Sequence, residues 1–294
     1  MSFISYLING ISLGSIYAII ALGYTMVYGI AKMLNFAHGD VIMVGGYLIF
    51  TFVSTLNLPT GIGILLAVVL CTALGITIEA IAYKPLRNAA SSLAVLITAI
   101  GVSYFLQNVA LLIFGANPKA FTSVVNIEPI KLMNEQITIS GETIVTIISC
   151  IVIMVVLTLF VNKTKAGQAM LAVSEDKGAA QLMGINVNGT ISLTFAIGSG
   201  LAAIAGMLLC SAYPSLSPYT GSMPGIKAFV AAVFGGIGSI PGALIGGIAL
   251  GIIEILGKAY ISSQLADAIV FLVLIIVLLV KPTGILGKQV QEKV

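Results

Sequence analysis

Groups able to do chemistry are rare in this chain, and they gather in a few places. Asn35, His38 and Asp40 fall within LNFAHGD (34–40), and Glu175, Asp176 and Lys177 stand in a row in AVSEDKGAAQLMGINVNG (172–189). Glu79 and Glu254 lie deep in apolar stretches, and Asp267 lies near the start of the last one. In 34–40, Asn35 or Asp40 suits a helix end and Gly39 permits a sharp reversal. The stretch is either a polar turn between two apolar segments or a broken helix exposing polar groups to a substrate, as transporters arrange them. The apolar run Ile4–Ile30 plus Asn35 exceeds what a straight span needs, which adds weight to the broken helix. His38 alone is not a proton relay. Acids inside apolar segments are candidate functional sites. But Glu79 is close to Lys84 and Arg87, and Glu254 stands four residues before Lys258, so ion pairs at the membrane edge are the simpler reading.

The island at 172–189 has its own grammar. Ser174 suits an N-cap, Glu175 and Asp176 would occupy the first turn, and Gly184 suits the position just past a helix. That predicts a helix of two to three turns with Ala179, Leu182 and Met183 on its apolar side. So short a helix is marginal in water and needs a surface. The surface is either the bottom of its own bundle or a cleft on a separate cytoplasmic protein.

The inventory excludes much. The one histidine rules out a His-based triad or a multi-histidine metal site. Cys71, Cys150 and Cys210 each sit in an apolar segment as inert thiols, and no nucleophile–base set or carboxylate pair suggests an enzyme. No G-x-x-x-x-G-K-[ST] loop is present, so no cofactor is expected and any ATP must be bound by partner subunits. The net charge of +3 comes from dispersed residues, which argues against nucleic acid.

The elements that must position these groups are membrane helices. The chain of 294 residues is 59% hydrophobic and 8% charged, against about 25% charged in a soluble domain. Candidate spans are Ile4–Ile30, Val41–Leu56, Gly61–Ala82, Leu93–Phe114, Ile144–Val161, Ile191–Ala212 and Leu265–Val280. The first reads as a retained span, not a cleaved signal. Gly225–Gly257 is ambiguous: its Gly238–Gly242 centre is either the turn of a helical hairpin or the tip of a re-entrant element, and such backbone belongs inside protein. The expected fold is an all-α polytopic bundle of eight or nine passes with broken or re-entrant helices, in one domain over residues 1–294, in contact with lipid.

Alternating passes place Lys32, Lys84, Arg87, Lys163, Lys165, Lys177, Lys281, Lys288 and Lys293 on the cytoplasmic side, with the tail inside and the N-terminus outside. The loop at 115–143, with Lys119, Lys131, Glu128, Glu135 and Glu142, is then external and has a β-branched alternation suited to a small cap. Glycines recur at every fourth position: Gly10 and Gly14, Gly238, Gly242 and Gly246, Gly247 and Gly251. Such faces allow close helix packing, or line a moving pathway.

The stretch A-x-x-E-D-x-x-x-A-x-x-x-G-I-N (Ala172, Glu175, Asp176, Ala180, Gly184, Ile185, Asn186) resembles the coupling motif of LivH-type permeases of branched-chain amino acid ABC transporters. The opening from Ile8 to Gly29, LNFAHGD, GGIGSIPGA (235–243) and KPTGILG (281–287) are similar to that family too, so the resemblance covers essentially the whole chain. It implies a multi-pass protein of the bacterial inner membrane, paired with a second, LivM-like permease. Two cytoplasmic ATPase subunits and an extracytoplasmic solute-binding protein complete the assembly. The implied coupling residues are Glu175, Asp176, Ala180, Gly184 and Ile185, and the pathway candidates are Asn35, His38, Asp40, Gly238 and Gly242. The cargo would be leucine, isoleucine and valine, selected mostly by the binding protein. Related permeases carry urea, short amides or sugars. An ion-coupled carrier acting alone would instead need several intramembrane acids and an internal repeat.

Overall fold

The computed structural model describes residues 3–87, 92–125, 127–132 and 137–287. Glu135, Lys288 and Lys293 lie outside them. Eleven α-helices are present among the described residues: α1 (Phe3–Ala31), α2 (His38–Ile49), α3 (Thr60–Ile78), α4 (Ser92–Phe114), α5 (Gly141–Lys163), α6 (Lys165–Glu175), α7 (Lys177–Leu182), α8 (Val187–Ala212), α9 (Ser222–Gly235), α10 (Ile240–Tyr260) and α11 (Ala266–Val280). Wider π-helical turns extend α2 over Phe50–Thr55 and α3 over Glu79–Tyr83.

Among the described residues, six helices are long and apolar enough to cross a membrane. The segments that separate this number from the eight or nine expected are α9 and α11, each shorter than a full span, and α2, whose regular α-helical part is 12 residues. Gly225–Gly257 does not form one helix. Positive φ at Gly236 and Gly238 turns the chain between α9 and α10, and Ser239 caps α10 by accepting from Gly242 N at 3.2 Å. The two helices run antiparallel, since Gly235 lies against Gly242 and Ala231 against Gly246.

Glycine spacing does structural work at the α1–α10 crossing. A Cβ on Gly14 would lie 2.6 Å from Ile248 Cα, and one on Gly10 would lie 2.8 Å from Ile252 Cα. The backbones are in van der Waals contact, which is how helices gain packing energy in lipid. The same occurs between α2 and α8, where a Cβ on Gly45 would lie 2.7 Å from Ala203 Cα. α1 and α8 therefore form the buried centre, while α4 and α5 carry exposed apolar faces suited to lipid.

Lys32, Arg87 and Lys177 cluster at one end of the bundle, where Gly238 also meets Gly29 near the C-terminus of α1. At the other end, β1 (Lys119–Ala120) pairs with β4 (Ser215–Leu216) just beyond α8. There β2 (Ile130–Leu132) also pairs antiparallel with β3 (Ile137–Ile139).

Candidate functional site

α1 ends at Ala31, and Lys32 takes a left-handed backbone with φ +58. The chain then folds back into the bundle. The ring of His38 packs edge-on against Tyr24 at 4.7 Å. Tyr24 precedes Ala31 by seven residues, about 10 Å along the helix. α2 therefore starts well inside the bundle rather than at its end, as a broken helix does. No side chain caps it: the N-cap residue is Ala37, so neither Asn35 nor Asp40 plays the capping role expected of them. Asn35 instead accepts a hydrogen bond from Tyr83 OH at 2.9 Å, and Asp40 sits in the first turn, where its charge suits the dipole.

A second helix starts at the same depth. Gly39 lies against the N-terminal turn of α9: a Cβ there would be 2.7 Å from Gly221 O. Between these two starts and the face of α4 is a half-open cavity of about 490 Å³. Asp40 is its one carboxylate, joined by Tyr24, Ser103, Gln107 and Ser222, and Phe36, Leu96, Ile100 and Ile226 form the apolar walls. Gln107 Nε2 donates to Asp40 Oδ1 at 2.9 Å and lies 3.3 Å from Ser222 Oγ and 3.4 Å from Ser103 Oγ. One amide thus ties α2, α4 and α9 around the cavity. The outer rim carries Ile100, Tyr104, Tyr219 and Ile226, all exposed.

The pathway candidates separate in space. Asp40 lines the cavity. His38 and Asn35 are buried beside it, and His38 Nε2 has no hydrogen-bond partner among the described residues. Gly238 lies in the α9–α10 turn and Gly242 in the first turn of α10, and neither lines this cavity.

The island at 172–189 is built differently from the expectation. Ser174 is no N-cap; it lies in the last turn of α6 and donates to Leu171 O at 2.7 Å. Glu175 ends α6, and the cap of the next helix is Asp176, whose Oδ1 accepts from Gly178 N at 2.8 Å and Ala179 N at 3.0 Å. The aspartate caps because its backbone is extended, with φ −154 and ψ 114, while Ser174 is still inside α6. The result is two helices with a sharp bend, not one. Gly184 closes α7 with φ +82, as expected, and Ile185 N donates to Ala180 O at 3.0 Å. Ala180 faces the bundle, while Leu182 and Met183 are 90% and 82% exposed.

Lys177, the first residue of α7, reaches back to α1 and donates to Ala31 O at 2.9 Å. Partial burial, together with the neighbouring charges of Arg87 and Lys32, holds its ammonium below the usual lysine range.

The acids weighed as coupling groups are already engaged. Glu79 pairs with Arg87 and accepts from Ser192 Oγ at 2.5 Å; Arg87 also donates to Asn188. Glu254 binds Lys258 at 2.6 Å, Lys227 at 2.8 Å and Tyr17 OH at 2.8 Å, and Lys227 bridges on to Asp267 at 2.6 Å. The Glu254–Lys258 pair follows from spacing in the sequence; Lys227 and Tyr17 do not. Sequence reasoning did not single out Gln107, although the adjacent amides Gln107 and Asn108 in the apolar run Leu93–Phe114 were the available signal.

Comparison with known proteins places the chain in a family. Residues 6–278 match the family described as branched-chain amino acid transport system / permease component. The chain is 46% identical to the high-affinity branched-chain amino acid transport system permease protein LivH of Escherichia coli K12, over 99% of this chain and 98% of that one. It is 43% identical to BraD of Pseudomonas aeruginosa, described in the same words, over the same shares. It is also 30% identical to a probable branched-chain amino acid transport permease protein LivH of Methanocaldococcus jannaschii, over 92% of this chain and 88% of that one.

Proposed function

The chain belongs to the branched-chain amino acid transport permease family, and on that premise we propose how its cavity and its exposed helix work. It is a multi-pass permease of the bacterial inner membrane, part of an ATP-binding cassette importer for leucine, isoleucine and valine. The observation that carries the reading is the half-open cavity with one carboxylate, Asp40, set among apolar walls. A branched-chain amino acid has one cation, one anion and an aliphatic tail. Asp40 takes the ammonium, positioned by Gln107. The dipoles at the opposed starts of α2 and α9 take the carboxylate, since the positive end of a helix favours an anion. Leu96, Ile100 and Ile226 hold the tail.

A second, LivM-like permease covers the exposed rim of Ile100, Tyr104, Tyr219 and Ile226 and closes the other half of the pathway. Two ATPase subunits bind ATP below the bundle, and one receives Leu182 and Met183 in a cleft. Closure of the ATPases moves α7, and the pathway switches its facing. A solute-binding protein delivers cargo from outside and makes most of the selection. An ion-coupled carrier has less support, because Glu79, Glu254 and Asp267 are each paired with a cation.

The test is uptake by the complete complex in liposomes. Leucine should accumulate with ATP and not without it. Asp40→Asn, nearly isosteric, should cut uptake about tenfold or more through loss of a charge-assisted contact, with normal assembly and ATPase binding. Uptake of urea or acetamide in place of leucine would refute the cargo assignment, and full uptake by Asp40→Asn would refute the role of the carboxylate.

A further inference from the structure

A second cavity of about 340 Å³ lies on the same face of the bundle as the first, one level nearer the basic end. The two share Leu96, and their α1 walls are Tyr24 above and Tyr28 below, about one helical turn apart. The segment that folds back supplies Phe36 to the upper cavity and Met33 to the lower. The two cavities are therefore neighbours along the bundle.

Their charges are opposite. The upper cavity holds one carboxylate, and the lower is lined by Lys32, Arg87 and Lys177. Only Arg87 has an acidic partner, Glu79; neither Lys32 nor Lys177 is ion-paired among the described residues. Arg87 Nε is buried without a hydrogen-bond partner there. Positive charge gathered this closely, with apolar walls on either side, favours an anion. Lys177 also stands at the N-terminus of α7, where the helix dipole disfavours a cation. It is held by a single contact to the last carbonyl of α1, at the head of the segment leading to Asp40.

We propose that Lys32, Arg87 and Lys177 form a release site for the carboxylate of the cargo beneath the Asp40 cavity, and that Lys177 links its occupancy to α7. This rests on the amino acid importer reading above. The zwitterion leaves Asp40 ammonium-last and carboxylate-first. In the release site the carboxylate competes with Ala31 O for the Lys177 ammonium, so cargo and the ATPase-contacting helix share one cation. When α7 moves with the ATPases, Lys177 moves with it and lets the carboxylate go.

The experiment uses the complete complex in liposomes, with leucine or leucinamide added on the ATPase side during uptake. Leucine should inhibit its own import from that side, and leucinamide, which lacks the carboxylate, should not. Lys177→Gln and Lys32→Gln should each need about tenfold more leucine for the same inhibition, the loss of one charge-assisted hydrogen bond, while Lys177→Arg stays close to the parent. Co-purification with the ATPases confirms that each variant assembles, and Lys32, whose side chain is exposed, serves if Lys177→Gln does not. Equal inhibition of parent and variants, equal inhibition by leucinamide, or no inhibition of the parent by leucine would each overturn the proposal. A lipid phosphate in the pocket would also overturn it: the variants would then lose bound phosphatidylglycerol with the leucine response unchanged. Failure of the parent complex to import leucine with ATP is a separate outcome that sinks the importer reading itself.

Discussion

Replacing Leu182 and Met183 together by serine tests the coupling face without disturbing the fold. Both side chains are almost fully exposed, at 90% and 82%, so the permease alone loses almost no contact. Its own stability should change by no more than about 0.5 kcal/mol. Binding is another matter. Burying a large apolar side chain contributes about 1.5–3 kcal/mol. Taking the low end for each residue, the pair contributes about 3 kcal/mol to docking, a little over a hundredfold in affinity. The assay titrates purified ATPase subunit against the permease pair in nanodiscs and follows thermal unfolding of the same sample. The expected result is an unchanged melting temperature with ATPase binding weakened about a hundredfold. Ala180→Asp is the contrasting change, because Ala180 is buried against the bundle; it should destabilise α7 itself. Unchanged ATPase affinity in the double serine variant would refute the docking role of α7, however the rest of the complex behaves.

Three further outcomes follow from the packing and the charges. Glu254→Gln removes the acid shared by Lys227, Lys258 and Tyr17, and should cost about 3 kcal/mol, the low end for breaking a buried pair, since Lys227 keeps Asp267; Glu254→Leu with Lys227→Met should recover much of the loss in detergent melting curves. Gly14→Val places a Cβ where Ile248 Cα is 2.6 Å away, so α1 and α10 must separate at a cost of about 1–3 kcal/mol or more, read as a lower melting temperature and reduced membrane level, and an unshifted melting curve would show that the seam is not close-packed. Lys177 is held below the usual lysine range, first by burial and then by Arg87 and Lys32. The folded chain therefore binds fewer protons there than the unfolded one, and folded-state stability rises with pH between the lowered value and the ordinary one. Amine acetylation followed by mass spectrometry should modify Lys177 at lower pH than a free lysine, and modification at the free-lysine pH would contradict it.

Much of the helical plan was legible in the sequence because long apolar runs have a single stable solution in lipid. Ile4–Ile30, Leu93–Phe114 and Ile191–Ala212 each map onto one helix within a few residues. The Gly10/Gly14 and Gly247/Gly251 spacings also met across one crossing, since only small residues let two backbones touch. Local competition was harder to read. Ser174 and Asp176 are both good caps, and which one caps depends on where α6 stops, which is set by its packing on α1 and α8. Gly225–Gly257 was ambiguous for a related reason: a Pro-Gly turn suits both a hairpin and a re-entrant tip, and the antiparallel contact of Gly235 with Gly242 is common to both.

The sequence by itself determined that this is a membrane bundle, where its charges must gather and which short stretches carry polar groups, because hydropathy and helix period are properties of neighbours along the chain. The tertiary structure alone decided that Asp40 lies in a cavity beneath Gln107 and Ser222, that Glu254 shares Lys227 with Asp267, and that Lys177 reaches Ala31. Those pairs stand 67, 27 and 146 residues apart for Asp40–Gln107, Lys227–Glu254 and Lys177–Ala31. No local pattern encodes contacts at such separations; they exist only once packing has brought the helices together.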